Sequence, residues 1–248
     1  MGTTGVRTGA FFIVVAAFAI ACSPPPPNNN VLPPTPTPSP INGSAVVKNT
    51  NVSFNTYSKE WPVGWEFSDP DPHPRTLFDT RDKVLHLVVP RGKDMSTERD
   101  TAPRYLKAIS GDFEIETKVI GRPTLNYQGA GILILLDKQH YIRFERAYGG
   151  TGGGAGGLSI SMRRGDEITQ LITTVAVPTD SDRTWLRVRR RGSVMTFLWR
   201  DDEKGEWRQA AVASVEYPSS ILAGLVAVNT AADLDIRFGY IRLEPAGM

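Results

Sequence analysis

Apolar residues recur at every second position in short runs along this chain, and no long stretch carries the three-to-four spacing of a capped amphipathic helix. These runs, rich in Val, Ile, Phe, Tyr and Trp, predict strands over 83–89, 112–120, 130–137, 141–148, 158–164, 170–177, 185–191, 194–201, 222–229 and 234–244. Turn formers separate them: "DKQH" between two strands, then "RRGDE" and "RRGS" as hairpin tips in which glycine supplies a positive φ. So many strands with almost no helix predict an all-β sandwich or closed barrel.

Alternation also assigns faces, because successive side chains point to opposite sides of a strand. Phe113, Ile115, Thr117 and Val119 point inward, which turns Asp112, Glu114, Glu116 and Lys118 outward. By the same count Tyr141, Arg143 and Glu145 are outward, as are Ser159, Ser161 and Arg163, and Trp185, Arg187 and Arg189. "AGILILL" is apolar on both sides, so its second face needs a cover of its own.

The N-terminal pattern is different. The run "AFFIVVAAFAIA" is too short to span a bilayer comfortably and fits the apolar part of a secretory signal peptide over 1–21. "AIA" before Cys22, the only cysteine, resembles the lipobox of bacterial lipoproteins, which implies a lipidated Cys22 as the new N-terminus. The alternative is a secreted protein with one free thiol. Residues 22–45 then form a proline-rich tether, extended at about 3.1 Å per residue, and 46–248 form the folded domain. The expected location is a bacterial cell envelope, lipid-anchored and extracytoplasmic, at the outer membrane if the cell is Gram-negative.

Twenty-eight basic against 26 acidic residues leave a formal charge of +2, so no long-range field draws nucleic acid to the chain. "RTWLRVRRRG" interleaves arginine with aromatics, but its arginines alternate with core positions, and no nucleic-acid partner is expected.

Residues 102–148, with their "APR", "GDFE", "NYQGAG" and "DKQHYIRF" segments, are similar to the concanavalin A-like domain of unknown function 1349. "WLRVRRRGSVMTFLWRDDEKGEW" resembles that family's paired strands and aspartate-rich turn before tryptophan, and "AGLVAVN" with "LDIRFGYIRL" its closing strands. The resemblance implies a concanavalin A-like jelly-roll sandwich of two antiparallel sheets. That fold hosts sugar binding and sugar cleavage alike, so it does not decide function.

The candidate chemistry starts at "GDFEIETKVIG". Glu114 and Glu116 are about 6.6 Å apart at Cα on one face, and retaining glycosidases use two carboxyls about 5–5.5 Å apart. The third position of the laminarinase-type pattern is Lys118 or Val119 here, and neither serves as a carboxylic acid. The run therefore reads as a solvated strand face, and no catalytic residue is assigned. The remaining enzymatic alternative pairs Glu114 with Glu145. Arg143 and Arg146 flank Glu145 and are expected to lower its pKa, which favours holding a ligand over donating a proton.

Three scattered histidines, His73, His86 and His140, offer no metal-ligand spacing, so neither metal nor cofactor is expected. "GGTGGGAGG" (149–157) precedes a strand rather than a helix and is expected to be a loop, not a phosphate cradle. Aromatic candidates for sugar contact are Trp65, Tyr105, Tyr127, Tyr141, Tyr148, Trp185 and Trp199. The candidate ligand-binding set is Arg104, Gln128, Tyr141, Arg143, Glu145 and Arg163, expected to meet on one sheet face. The expected partner is a carbohydrate or other cell-envelope polymer, with a structural or protein-binding lipoprotein as the other non-enzymatic alternative.

Overall fold

The computed structural model describes residues 50–52, 63–81, 84–149, 154–177 and 181–246. The expected signal peptide, the expected lipidation at Cys22 and the expected tether lie outside these residues. The described strands are β1 (Thr50–Val52), β2 (Trp65–Ser68), β3 (Leu77–Arg81), β4 (Val84–Val89), β5 (Arg104–Ser110), β6 (Phe113–Ile120), β7 (Gln128–Asp137) and β8 (His140–Gly149). They continue as β9 (Gly154–Arg164), β10 (Glu167–Ala176), β11 (Arg183–Arg191), β12 (Val194–Arg200), β13 (Arg208–Ser214), β14 (Ser220–Asn229) and β15 (Leu234–Pro245). No helix occurs among the described residues.

The strands form two antiparallel sheets, as the alternation predicts. Sheet A has the order β13-β12-β11-β6-β15-β4-β3, with β1 beside the second half of β15. Sheet B has the order β10-β9-β8-β7-β14-β5-β2. The inward rows meet between them: Phe113, Ile115, Leu186, Val188 and Phe197 from sheet A face Ile132, Ile142, Phe144, Leu158 and Ile160 from sheet B. Each such side chain contributes about 1.5–3 kcal/mol on leaving water, and this shared core fixes the register of both sheets.

Two glycines allow the strands of sheet B to lie as they do. A Cβ on Gly131 would stand 2.0 Å from the Phe144 carbonyl oxygen, and one on Gly224 2.0 Å from that of Tyr105. Gly165 and Gly192 hold φ of 63° and 56° at the two predicted hairpin tips. The glycine-rich stretch differs from its expected loop: β8 runs to Gly149, β9 starts at Gly154, and Ala147 pairs with Gly157. Much of that stretch is therefore hairpin arm.

Strands β7 and β14 of sheet B are apolar on both faces, and the outer face of the sheet is covered by the β4–β5 connection, a strap from Pro90 to Pro103. Met95 and Ala102 of the strap bury against Leu106, Leu133, Leu135, Tyr141, Val226 and Val228. A β-bridge from Lys93 to Asn229 ties the strap to β14. Lys93, only 2% exposed, is neutralised by Asp69 at 3.1 Å and Asp71 at 3.5 Å.

Candidate functional site

The two outer faces of the sandwich divide the candidate residues between them. On sheet B, β8 and β9 present Tyr141, Arg143, Glu145 and Arg163 outward, with Tyr141 directly opposite Arg163, and Arg104 lies on the same face from β5. The alternation thus assigns Tyr141, Arg143, Glu145 and Arg163 to the side they occupy, and Arg104, from a strand it does not predict, joins them. All are buried, however, because the strap lies over them.

Most of their polar groups hold that strap. The Tyr141 hydroxyl donates to the Met95 carbonyl at 2.9 Å, and the Arg163 guanidinium donates to the carbonyls of Ser96 and Thr97. Arg104 forms a two-pronged pair with Asp100 at 2.7 and 3.1 Å. Beyond Arg104 the face stays open as a cleft of about 330 Å³ along Glu66, Ser68, Leu106 and Leu222.

Gln128 departs from the expected set. It lies on the core side of β7, donates to Asn229 Oδ1 and the Ala232 carbonyl, and accepts from the Thr124 and Leu125 amides. Its parity matches the inward Ala130 and Ile132, so it braces the end of the sandwich instead of joining the outward row.

Glu145 is the most isolated group on the sheet-B face. Its carboxylate is fully buried, lies over Gly129, and approaches Arg143 Nε at 3.7 Å. Both Glu145 oxygens, with Arg143 Nε and Nη1, have no hydrogen-bond partner among the described residues. Burial pushes the Glu145 carboxyl above its ordinary range; Arg143 opposes this and Asp94 of the strap adds to it. The expected lowering is thus reversed, because desolvation outweighs one imperfectly aligned cation. Arg146, the other expected neighbour, turns the opposite way and donates to the Gly156 carbonyl at 2.6 Å.

The outer face of sheet A changes the reading of "GDFEIETKVIG". Glu116 is not solvated surface: it is 2% exposed and sits at the centre of a cationic and aromatic cluster. Register places Arg187 on one side of it and Arg242 on the other. Arg187 Nε donates to Glu116 at 2.9 Å, Arg242 approaches at 3.9 Å, Arg200 at 4.0 Å, and the Tyr240 hydroxyl donates to the second oxygen. Glu114, one quarter exposed, bridges Arg187 at 3.2 Å and Arg189 at 2.8 Å.

Two local features assemble this cluster. A bulge in β15 between Phe238 and Ile241 inserts an extra residue, so Ile241 rejoins the core row while Tyr240 swings toward Glu116. The turn after β12 is fixed by Asp202, which accepts from the Lys204 amide at 2.8 Å, and it folds Trp207 back over the sheet. The Arg187 guanidinium lies 4.0 Å from the Trp207 ring centre and that of Arg200 4.6 Å. Trp185, beside them, carries Lys118 Nζ at 4.8 Å and Arg200 at 5.6 Å. Cations over indole faces keep those rings in one orientation.

Trp207 was not among the aromatic candidates, although the aspartate-rich turn before it was a usable signal. Of those candidates, Trp65 and Tyr105 stack on each other in the core at 5.0 Å, and Trp199 is also a core residue. Tyr127 is half exposed and holds a φ of 62°, uncommon for a non-glycine residue.

Glu114 and Glu145 stand on the outer faces of opposite sheets, with the core between them. Packed sheets are about 10 Å apart, so these carboxyls cannot flank one glycosidic bond, and that acid pair is withdrawn. Among the described residues no group of three or more His, Cys, Asp or Glu side chains is arranged to hold a metal ion.

Two antiparallel sheets with this core define a concanavalin A-like sandwich. The chain belongs to the family described as "Protein of unknown function (DUF1349)", which matches residues 74–246. Its fold is similar to a functionally unknown protein from Saccharomyces cerevisiae, at 19% identity and a TM-score of 0.60 over 74% of this chain and 98% of that one. It is similar to the xylan beta-1,4-xylosidase from Bacillus halodurans C-125 at 15% identity and a TM-score of 0.62, over 86% of this chain but only 41% of the xylosidase. The Ca2+/Man-bound exoplasmic/lumenal domain of VIP36 matches at 15% identity and a TM-score of 0.54, over 77% of this chain and 86% of that domain. No curated protein matches the sequence. At these identities the likeness concerns the fold.

Two outcomes are expected of the buried carboxylates. A raised folded-state pKa means that the native chain binds protons more tightly than the unfolded one, so the contribution of Glu145 is full below the ordinary glutamate range. It is lost as pH rises through the folded pKa. Melting temperatures of the wild type and Glu145→Gln across pH should therefore converge toward acid and diverge, with the variant favoured, as pH rises. In urea, Glu116→Ala should lower the unfolding free energy by about 3–5 kcal/mol, and Glu114→Ala, more exposed, by under about 1 kcal/mol.

Proposed function

We propose that this chain is a non-catalytic glycan-binding module of a bacterial cell envelope, and that the outer face of sheet A holds the glycan. The observation that carries this reading is the pair of partly exposed rings of Trp207 and Tyr240 beside Arg187 and Arg200, set over the buried Trp185 and Glu116. Sugar rings present a C–H face to an aromatic platform and hydroxyls to planar carboxylate and guanidinium groups. The patch offers the rings of Trp207 and Tyr240 and the outer edges of the Arg187 and Arg200 guanidinium groups, which the buried Glu116 holds in place before any ligand arrives. Such preorganisation reduces the ordering cost of binding. The sheet-B face supports the reading less, since its polar groups are largely occupied by the strap.

The anchor belongs to the same proposal. Lipid on Cys22 holds the chain to the membrane, and the proline-rich tether carries the domain away from it, toward the polymers of the envelope. In a Gram-negative cell the residue after Cys22, a serine, favours the outer membrane.

A panel of labelled polysaccharides tests the site. At least one should bind, Trp207→Ala should weaken it about tenfold or more, and no reducing ends should accumulate. Sustained release of reducing ends overturns the non-catalytic reading, and no binding across the panel favours a structural or protein-binding role. Cys22→Ala should move the protein from the membrane to the soluble fraction; an unchanged distribution contradicts the anchor.

A further inference from the structure

One end of the sandwich carries a cleft that neither outer face explains. The inward rows of sheet B run Ile134, Ile142 and Met162, all in the core, and one step further they reach Leu136, His140 and Arg164. An apolar core row that ends in histidine and arginine marks the place where the two layers part. The facing wall is Ser214–Tyr217, where the chain crosses from β13 in sheet A to β14 in sheet B. The Val215 amide donates to the Ser193 carbonyl at 2.7 Å, and Arg190 donates to the carbonyls of Tyr217 and Pro218 at 3.0 and 3.1 Å, which holds this wall in place. The mouth so formed encloses about 550 Å³, within the range of small-molecule sites.

Its polar groups are oriented. Asp137 accepts from the Gln139 amide at 2.7 Å and lies 2.9 Å from His140 Nδ1. Burial pushes the Asp137 carboxyl up, but the hydrogen bonds from Gln139 and His140 and the charge on His140 together carry it below its ordinary value. With Nδ1 engaged by this carboxylate, Nε2 is the ring nitrogen left for another partner. The Tyr217 hydroxyl is buried without a hydrogen-bond partner among the described residues. Desolvation pushes this phenol up to about 12, so it stays a donor at neutral pH. Arg164 uses one nitrogen on the Ser214 carbonyl at 3.1 Å and has further N–H groups to offer.

We propose that this mouth is a second binding subsite, for one neutral sugar ring or a comparable polyhydroxylated molecule. The ligand class follows from the mixture of groups. Arg164 and Tyr217 donate, Glu216 accepts, His140 Nε2 adds a polar edge, and Leu136, 37% exposed, offers an apolar surface for a C–H face. The charge of Arg164 is offset by Asp137 and Glu216, so the site has no excess of positive charge with which to select an anion. Adjacent hydroxyls match alternating donors and acceptors; a carboxylate does not. The subsite stands independently of the sheet-A reading.

The test is methyl NMR on the full chain in detergent micelles, with Leu and Val methyls labelled. The titrants are neutral methyl glycosides of hexoses and pentoses, with glucuronate as the anionic comparison. Leu136 and Val215 report on the mouth, and Leu198, opposite Arg187 on sheet A, reports on the other site. A neutral glycoside should shift Leu136 and Val215 in a saturable, millimolar manner, Tyr217→Phe should weaken this about tenfold, and Trp207→Ala should leave it unchanged. Absence of shifts at both methyls, or equal binding by Tyr217→Phe and Arg164→Gln, overturns the subsite. Preference for glucuronate overturns the ligand class. Shifts confined to Leu198 overturn the subsite and leave the sheet-A reading standing; shifts confined to Leu136 and Val215 do the reverse.

Discussion

The central strands β7 and β14 of sheet B are apolar on both faces, and the rest of the structure depends on how the second face is covered. One face meets the core shared with sheet A; the other would expose Leu133, Val226 and Val228 to water without the strap. Covering that face fixes the fate of its polar row. Tyr141, Arg163 and Arg104 hold the strap through its carbonyls and Asp100, and Glu145 and Arg143 are sealed beneath it. Residues that look like a ligand site in the chain are thereby turned to an internal purpose. On the outer face of sheet A, by contrast, preset charged groups stand beside the partly exposed rings of Trp207 and Tyr240.

The cluster on sheet A illustrates how two unrelated local events create one patch. The β15 bulge delivers Tyr240, and the Asp202 turn delivers Trp207, to the same carboxylate. Glu116 in turn neutralises guanidinium groups that would otherwise repel each other along β11, β12 and β15. The result is a patch whose parts are oriented by mutual contact. The strand that seemed to be half of a glycosidase therefore supplies an electrostatic hub, and its carboxylate acts by holding cations.

Much of this was legible in the chain. Period-two alternation located ten of the strands and assigned Phe113, Ile115, Phe144, Ile160 and Val188 to the core, because burial on one face leaves an unambiguous imprint. Three of the five strands it missed have physical reasons. β2 is four residues long, β5 begins with Arg104, Tyr105 and Leu106 buried on both faces, and β13 is an edge strand of small residues. The candidate row Tyr141, Arg143, Glu145 and Arg163 was placed correctly on one face, yet its burial was invisible. Alternation tells which side a residue points to and not what lies over that side. Gln128 differs for another reason: it enters the set from the "NYQGAG" segment with no face assigned, and the end of a core row can be closed by hydrogen bonds as well as by apolar contact. Trp207 lies outside any strand, so no periodicity marks it.

The central claim is that the outer face of sheet A receives the ligand while the strap stays closed over sheet B. Amide hydrogen exchange with and without a bound polysaccharide tests it most directly. The account predicts slower exchange in β6, β11 and β12 and around Trp207 when ligand is bound, with exchange in residues 93–103 unchanged. Faster exchange in the strap on binding, with β6 and β11 unaffected, would place the ligand on the sheet-B face and contradict it.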